Sequence, residues 1–151
     1  MNQNSSEEQS PASIDLSSGI SAFESKQFRQ AMQLLSPLAQ RGIADAQYRV
    51  AIMHQNGLGV VRNEKSAVQW MRAAAEQGHA LAQHGLGFMY MDGDCLRRDG
   101  NESVAWFEKA AAQGLVGSQT TLATIYEQGD IVDQDLEKAK KWYRLAGFED
   151  K

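Results

Sequence analysis

Apolar positions recur at helical spacing through most of this chain, and each run stops at a glycine. Ala46, Val50, Met53 and His54 follow the i, i+4, i+7, i+8 stripe of a helix buried on one side. Asn56-Gly57 ends that run, where glycine takes the left-handed conformation that closes a helix. A second stripe, Ala67, Trp70, Met71, Ala74 and Ala75, starts after Asn63, a short polar residue suited to an N-cap, and stops at Gly78. The pattern predicts two helices joined by a short loop.

The same pattern then repeats. Trp70, Trp106 and Trp142 stand 36 residues apart, and so do Gln47, Gln83 and Gln119, then Gly57, Gly93 and Gly129. Val50, Leu86 and Leu122 keep that spacing, as do Asn63, Asp99 and Asp135. One ungapped register therefore defines three units, 44–79, 80–115 and 116–151, and internal repetition at this period indicates a stacked helical array. Asp99 with Glu102 three residues later has capping-box spacing. The small pairs Ala74-Ala75 and Ala110-Ala111 let neighbouring helices approach closely, and the tryptophans read as core. A short or half repeat over 13–43 precedes the array. Gly19, Ala22 and Phe23 lie on one helix; Phe28, Ala31, Leu34, Leu35 and Leu38 lie on the next, where Pro37 is expected to bend the helix or lengthen a turn. The expected fold is all-α, a right-handed α-solenoid of antiparallel helix pairs over residues 13–151.

Residues 1–12 are polar and read as a disordered tail. They lack the basic start and apolar run of a secretory signal, and no stretch approaches the roughly 20 apolar residues of a membrane span. The expected location is cytoplasmic, with no membrane insertion. In the third unit Lys140 stands where Val68 and Val104 do, and Lys141 replaces Gln69 and Ala105, so this face is expected to meet water.

The 151 residues carry 15 Lys and Arg against 19 Asp and Glu, a formal charge of −4 that excludes the basic footprint of a nucleic-acid binder. One cysteine excludes an intrachain disulfide framework. Neither a cofactor nor a metal site is expected: His79 and His84 are five apart across a turn, not at the i, i+4 spacing of a helical metal pair. His54 holds the place of Tyr90 and Tyr126, which suits a hydrogen-bonded core role. Cys95 lies in a charged loop between Asp94 and Arg97-Arg98; the arginines favour a reactive thiolate, and an inert thiol fits the same surroundings. Gly85-Leu86-Gly87 falls within a helix and follows no strand, so it is no nucleotide loop. No nucleophile–base pair or acid pair is visible, and the chain reads as non-catalytic.

The run Ala-x-Ala-Gln, Gly-Leu-Gly-Val, Ala-x-x-Trp, Ala-Ala-Glu-Gln-Gly between Ala44 and Gly78 resembles the Sel-1-like repeat, a relative of the tetratricopeptide repeat. The resemblance covers about residues 44–147, and 17–43 is similar to the shortened opening repeat of bacterial members. The chain departs from the pattern at the second glycine of the inter-helix turn, which is Gly59 in the first unit but Cys95 and Ile131 in the others. The resemblance implies a bacterial adaptor that binds another protein or peptide in a regulatory, envelope or secretion-related complex. It also implies that the first helix of each pair lines a concave groove. The groove positions are then Asp45, Tyr48, Ile52 and Gln55; Leu81, His84, Phe88 and Met91; and Gly117, Thr120, Thr124 and Glu127. The middle set is apolar, so a peptide groove centred on Phe88 is one reading. Packing of these side chains within the fold is the other. An inhibitor or immunity-type protein that blocks one effector enzyme is the alternative role, and weak self-association through Leu145 and Phe148 is a further structural possibility.

Overall fold

The computed structural model describes residues 10–148. Residues 1–9, most of the expected tail, and 149–151, the close of the third unit, lie outside the described residues. Eight helices are present among those described: α1 (Pro11–Glu24), α2 (Phe28–Gln40), α3 (Ala44–Asn56), α4 (Glu64–Glu76), α5 (Ala80–Asp92), α6 (Gly100–Ala112), α7 (Val116–Gln128) and α8 (Leu136–Leu145). α1 begins at Pro11, with the Ser10 hydroxyl accepting the Ser13 backbone N–H at 3.2 Å. α2 stays continuous through Pro37 to Gln40.

The 36-residue spacing has direct structural causes. Asn63, Asp99 and Asp135 each accept a backbone N–H with the side-chain oxygen, from Ser66, Glu102 and Lys138, at 3.0–3.1 Å. Their own N–H groups donate back to the carbonyls of His54, Tyr90 and Tyr126 at 2.9–3.0 Å, which closes each loop on the helix before it. That contact uses the Asp99 N–H, so the reciprocal half of a capping box is not made. The three glutamines form a second set. Gln47, Gln83 and Gln119 are buried, and each amide donates to a carbonyl eight residues earlier (Ala39, Ala75 and Ala111) at 3.1–3.2 Å. Each of those carbonyls lies in the last turn of the preceding helix, where intrahelical donors run out.

The chain divides into two compact units, up to Trp70 and from Met71. In the first, Ala22, Ala31, Leu35, Leu38, Val50 and Met53 form a core that Phe23, Phe28 and Trp70 partly cover. In the second, Phe107, Leu122, Ile125 and Tyr126 centre a core flanked by Phe88, Met91 and Trp142. The tryptophans are not uniformly core: Trp106 is buried, whereas Trp70 and Trp142 are half-buried. The indole is too large to bury fully at every repeat and keeps a polar N–H that favours a wet edge.

The departures at the inter-helix turn resolve differently. Gly59 has φ +70° and no room for a side chain, since a Cβ there would lie 2.6 Å from the Phe28 backbone. Cys95 keeps the same left-handed turn at φ +68° despite its side chain. Ile131 leaves that conformation, and its carbonyl instead presses on Gly100, where an added Cβ would meet it at 2.5 Å.

Candidate functional site

In the second unit, the expected groove residues fall at half-buried places between the core and solvent. His84, Phe88 and Met91 on α5 are half-buried, as are Thr120 and Thr124 on α7, while Leu81 and Glu127 are exposed. Helical spacing produces this: these positions flank the buried stripe of Ala82, Gln83, Leu86 and Met89.

His84 and Phe88 do not stand free. Their rings meet edge to face at 4.8 Å, and both meet the buried Phe107 ring, at 5.4 Å and 5.0 Å. Edge-to-face packing of the three rings, at interplanar angles of 67–86°, suits the aromatic quadrupole. His84 Nδ1 shares a 2.6 Å hydrogen bond with the buried Ser118 hydroxyl, and burial holds the imidazole pKa below its ordinary value. On α7, Thr120 and Thr124 turn their hydroxyls back onto the carbonyls of Val116 and Thr120 at 3.2 Å and 3.0 Å. Tyr143 of α8 donates to Glu127 at 2.6 Å and lies 3.4 Å from the Thr124 hydroxyl. The hydrogen bond to Glu127 raises the Tyr143 pKa. Leu136, Ala139, Lys140, Glu127 and Tyr143 line an adjoining hollow of about 380 Å³.

In the first unit, Tyr48, Ile52 and Gln55 are half-buried on α3. The Arg49 guanidinium lies 5.9 Å from the Tyr48 ring and 5.8 Å from the Phe23 ring, and pairs with Asp45 at 3.3 Å. Burial raises the Tyr48 pKa, and the Arg49 charge opposes that shift. The Gln55 carbonyl accepts from Arg62 Nε at 2.8 Å.

Phe107, Ser118 and Tyr143 were not among the expected site residues. The register offers a signal for two of them, because the position after each tryptophan reads Met71, Phe107 and Tyr143. The expected core role of His54 is corrected. It is half-buried with Nδ1 unpartnered, whereas Tyr90 accepts from Arg72 at 2.6 Å and Tyr126 donates to Glu108 at 2.8 Å. Arg72 and Glu108 stand 18 residues before those tyrosines. That place before His54 is held by Ser36, a side chain of much shorter reach.

The chemistry on this face is that of contact: aromatic edges, hydroxyls and one carboxylate. No group of three or more His, Cys, Asp and Glu side chains suited to a metal occurs among the described residues. Cys95 is half-buried, 3.5 Å from Asp94 Oδ1. No described helix is long and apolar enough to cross a membrane.

The Sel1 repeat model matches residues 44–79, 80–115 and 118–147. The chain belongs to the Sel1 repeat family. Among solved structures, a Sel1 repeat protein from Oxalobacter formigenes is 32% identical, with a TM-score of 0.81 over 87% of this chain and 53% of its own. The protein c5321, a protective antigen present in uropathogenic Escherichia coli strains and displaying an SLR fold, is 34% identical, with a TM-score of 0.83 over 93% of this chain and 31% of its own. No curated protein matches. This Sel1 repeat chain thus spans about half of one neighbour and a third of the other. Its all-α fold is that of the tandem-repeat solenoids, and Sel1 repeat proteins in general mediate protein–protein interaction.

Proposed function

We propose that this chain is a non-catalytic interaction module that binds a protein or peptide along its first helices, as an adaptor in a bacterial regulatory or secretion-related complex. The observation that carries this reading is the set of half-exposed rings on α5. His84 and Phe88 are held by Phe107 and Ser118, so their edges are presented with little rotamer freedom left to lose on binding. Leu81, 44% exposed, and Met91 extend the apolar strip along the same helix. Thr120, Thr124 and Glu127 with Tyr143 supply polar partners beside it. Tyr48, Ile52 and Gln55 offer the corresponding positions of α3 in the first unit.

Capture of a partner from the native cell by the tagged chain, followed by its identification and a binding titration, tests this. Phe88→Arg is expected to abolish capture. Because Phe88 also packs on Phe107, Leu81→Ser provides a second variant at an exposed position, expected to weaken capture with an unchanged melt. A partner retained in full by both variants refutes the α5 face.

A further inference from the structure

Leu96, Arg97, Arg98 and Asp99, from the loop between α5 and α6, close an open hollow of about 590 Å³ with Arg72 of α4 and Tyr90 of α5. Half of its lining side chains are guanidiniums, in a chain whose formal charge is −4. Arg72 is held in place: Nη2 donates to the Tyr90 hydroxyl at 2.6 Å, and the guanidinium carbon lies 5.7 Å from the ring centroid. Asp99 is the one carboxylate in the lining, and its Oδ1 already accepts the Glu102 backbone N–H at 3.1 Å. None of the three arginines forms an ion pair with a carboxylate among the described residues.

The next repeat supplies the control. Thirty-six residues on, Tyr126, Val132, Asp133, Gln134 and Asp135 are among the residues lining the corresponding hollow, of about 530 Å³, together with one cation, Lys138; Glu108 stands outside the lining. There Tyr126 donates to Glu108, where Tyr90 accepts from Arg72. Arg72, Arg97 and Arg98 have become Glu108, Asp133 and Gln134 at the same places in the repeat. A charge that the helix pair needed in order to fold would keep its sign from repeat to repeat. Here a hollow persists while Arg72 and Arg97 give way to acids, so positive charge at those two places is not a requirement of folding. The bond to the tyrosine recurs with either sign, and Arg62 and Gln134, at the place of Arg98, each donate to a carbonyl seven residues earlier.

We propose that the hollow of Arg72, Arg97 and Arg98 captures the oxyanion of an acidic side chain, carboxylate or phosphoryl, on a polypeptide partner. Guanidinium is suited to this because its planar fork of N–H donors matches both groups and stays charged at any physiological pH. The Tyr90 ring and Leu96 add apolar surface beside the guanidiniums. None of these residues belongs to the α5 and α7 face proposed above, so the two readings stand or fall separately.

Fluorescence anisotropy with three labelled peptides, identical except for a central Glu-Glu, phosphoserine or Gln-Gln, tests the assignment. One or both anionic peptides are expected to bind and the glutamine peptide is not, with affinity falling as salt is raised. Tighter binding of the glutamate peptide assigns a carboxylate ligand, and tighter binding of the phosphoserine peptide a phosphoryl one. The double variant Arg97→Asp with Arg98→Gln installs the residues with which the third repeat already folds. It is expected to weaken binding about tenfold or more, with an unchanged melt. Leu81→Ser, a change confined to the α5 face, is expected to bind these peptides as wild type does. Failure of both anionic peptides to bind, equal binding of the glutamine peptide, or full binding by the double variant overturns the proposal.

Discussion

The buried glutamines are the most repeated side-chain device in this fold, and their contribution can be worked out in advance. Each of Gln47, Gln83 and Gln119 donates to a last-turn carbonyl of the helix before it. Replacing one with leucine keeps the side-chain volume nearly constant, so no cavity term enters. The carbonyls are not fully orphaned by the change, because Ala39, Ala75 and Ala111 also accept the N–H of Gly42, Gly78 and Gly114 at 2.9–3.0 Å. At Gln83 the other partner is safe as well, since Gln113 donates both to Gln83 Oε1 and to the Gly78 carbonyl at 2.9 Å. The loss is then at least one ordinary hydrogen bond at Gln47 and at Gln119 and two at Gln83, about 0.5–1.5 kcal/mol per bond. The three sites share no side chain, and their losses should add. The triple variant Gln47→Leu, Gln83→Leu, Gln119→Leu is expected to lose about 2–6 kcal/mol, a fall in Tm of about 4–24 °C for a chain of this size. Thermal melts followed by circular dichroism measure it. A triple variant melting within about a degree of wild type would show that the glutamines do not join helix to helix.

Two further outcomes follow from burial. Trp106→Ala is expected to cost about 3–5 kcal/mol in chemical denaturation, as a buried large-to-small change. Trp106→Phe should cost far less, because Trp106 Nε1 is buried without a partner and its removal forfeits no bond; equal losses for the two would refute this. Burial lowers the pKa of His54 and His84 from 6.5. The unfolded chain therefore takes up protons more readily, so the contribution of neutral imidazole is present above the unfolded value and is lost as pH falls toward the lower folded one. Melting temperature should drop between about pH 7.5 and pH 5.5, and drop less in His54→Tyr with His84→Thr, the residues other repeats use there; parallel pH profiles would refute it.

The period of the chain was enough to place the repeat helices, because the second helix of each pair starts at a capping Asn or Asp and the first closes at a glycine. α3, α5 and α7 begin at 44, 80 and 116, where the register puts them, and close at Gly57, Gly93 and Gly129 in the left-handed conformation. The half-buried setting of Tyr48, His84 and Phe88 follows from the same arithmetic, since they flank the apolar stripe. The partners of those residues were not legible. His84 bonds to Ser118, 34 residues on, and Arg72 to Tyr90, 18 residues on. Such pairings depend on side-chain reach, not on spacing alone, which is why His54 opposite Ser36 lacks the bond its counterparts make. Arg97 and Arg98 in turn read as neighbours of Cys95 until the fold brought Arg72 and Tyr90 beside them.

The repeat thus divides its positions into two kinds. Capping Asn and Asp recur because each satisfies a backbone N–H at a helix start, bridging Gln because it adds a second donor to a last-turn carbonyl, and closing Gly because it takes the left-handed turn that ends the helix. Positions free of that duty drift, and they are where the units differ: Tyr48, His84 and Thr120 on the first helices, and Arg72 and Arg97 against Glu108 and Asp133 around the loops. The change from Arg72 and Arg97 to Glu108 and Asp133 around corresponding hollows is the clearest instance, because both signs occur there although the loops differ at Cys95 and Ile131. On the proposed reading, recognition falls to the variable positions while the recurrent ones hold the frame. Exchanging Arg97 and Arg98 for the third repeat's residues should therefore change what the chain binds without changing how stably it folds. A fall in Tm that matched the loss of peptide binding would show that the two kinds of position are not separable.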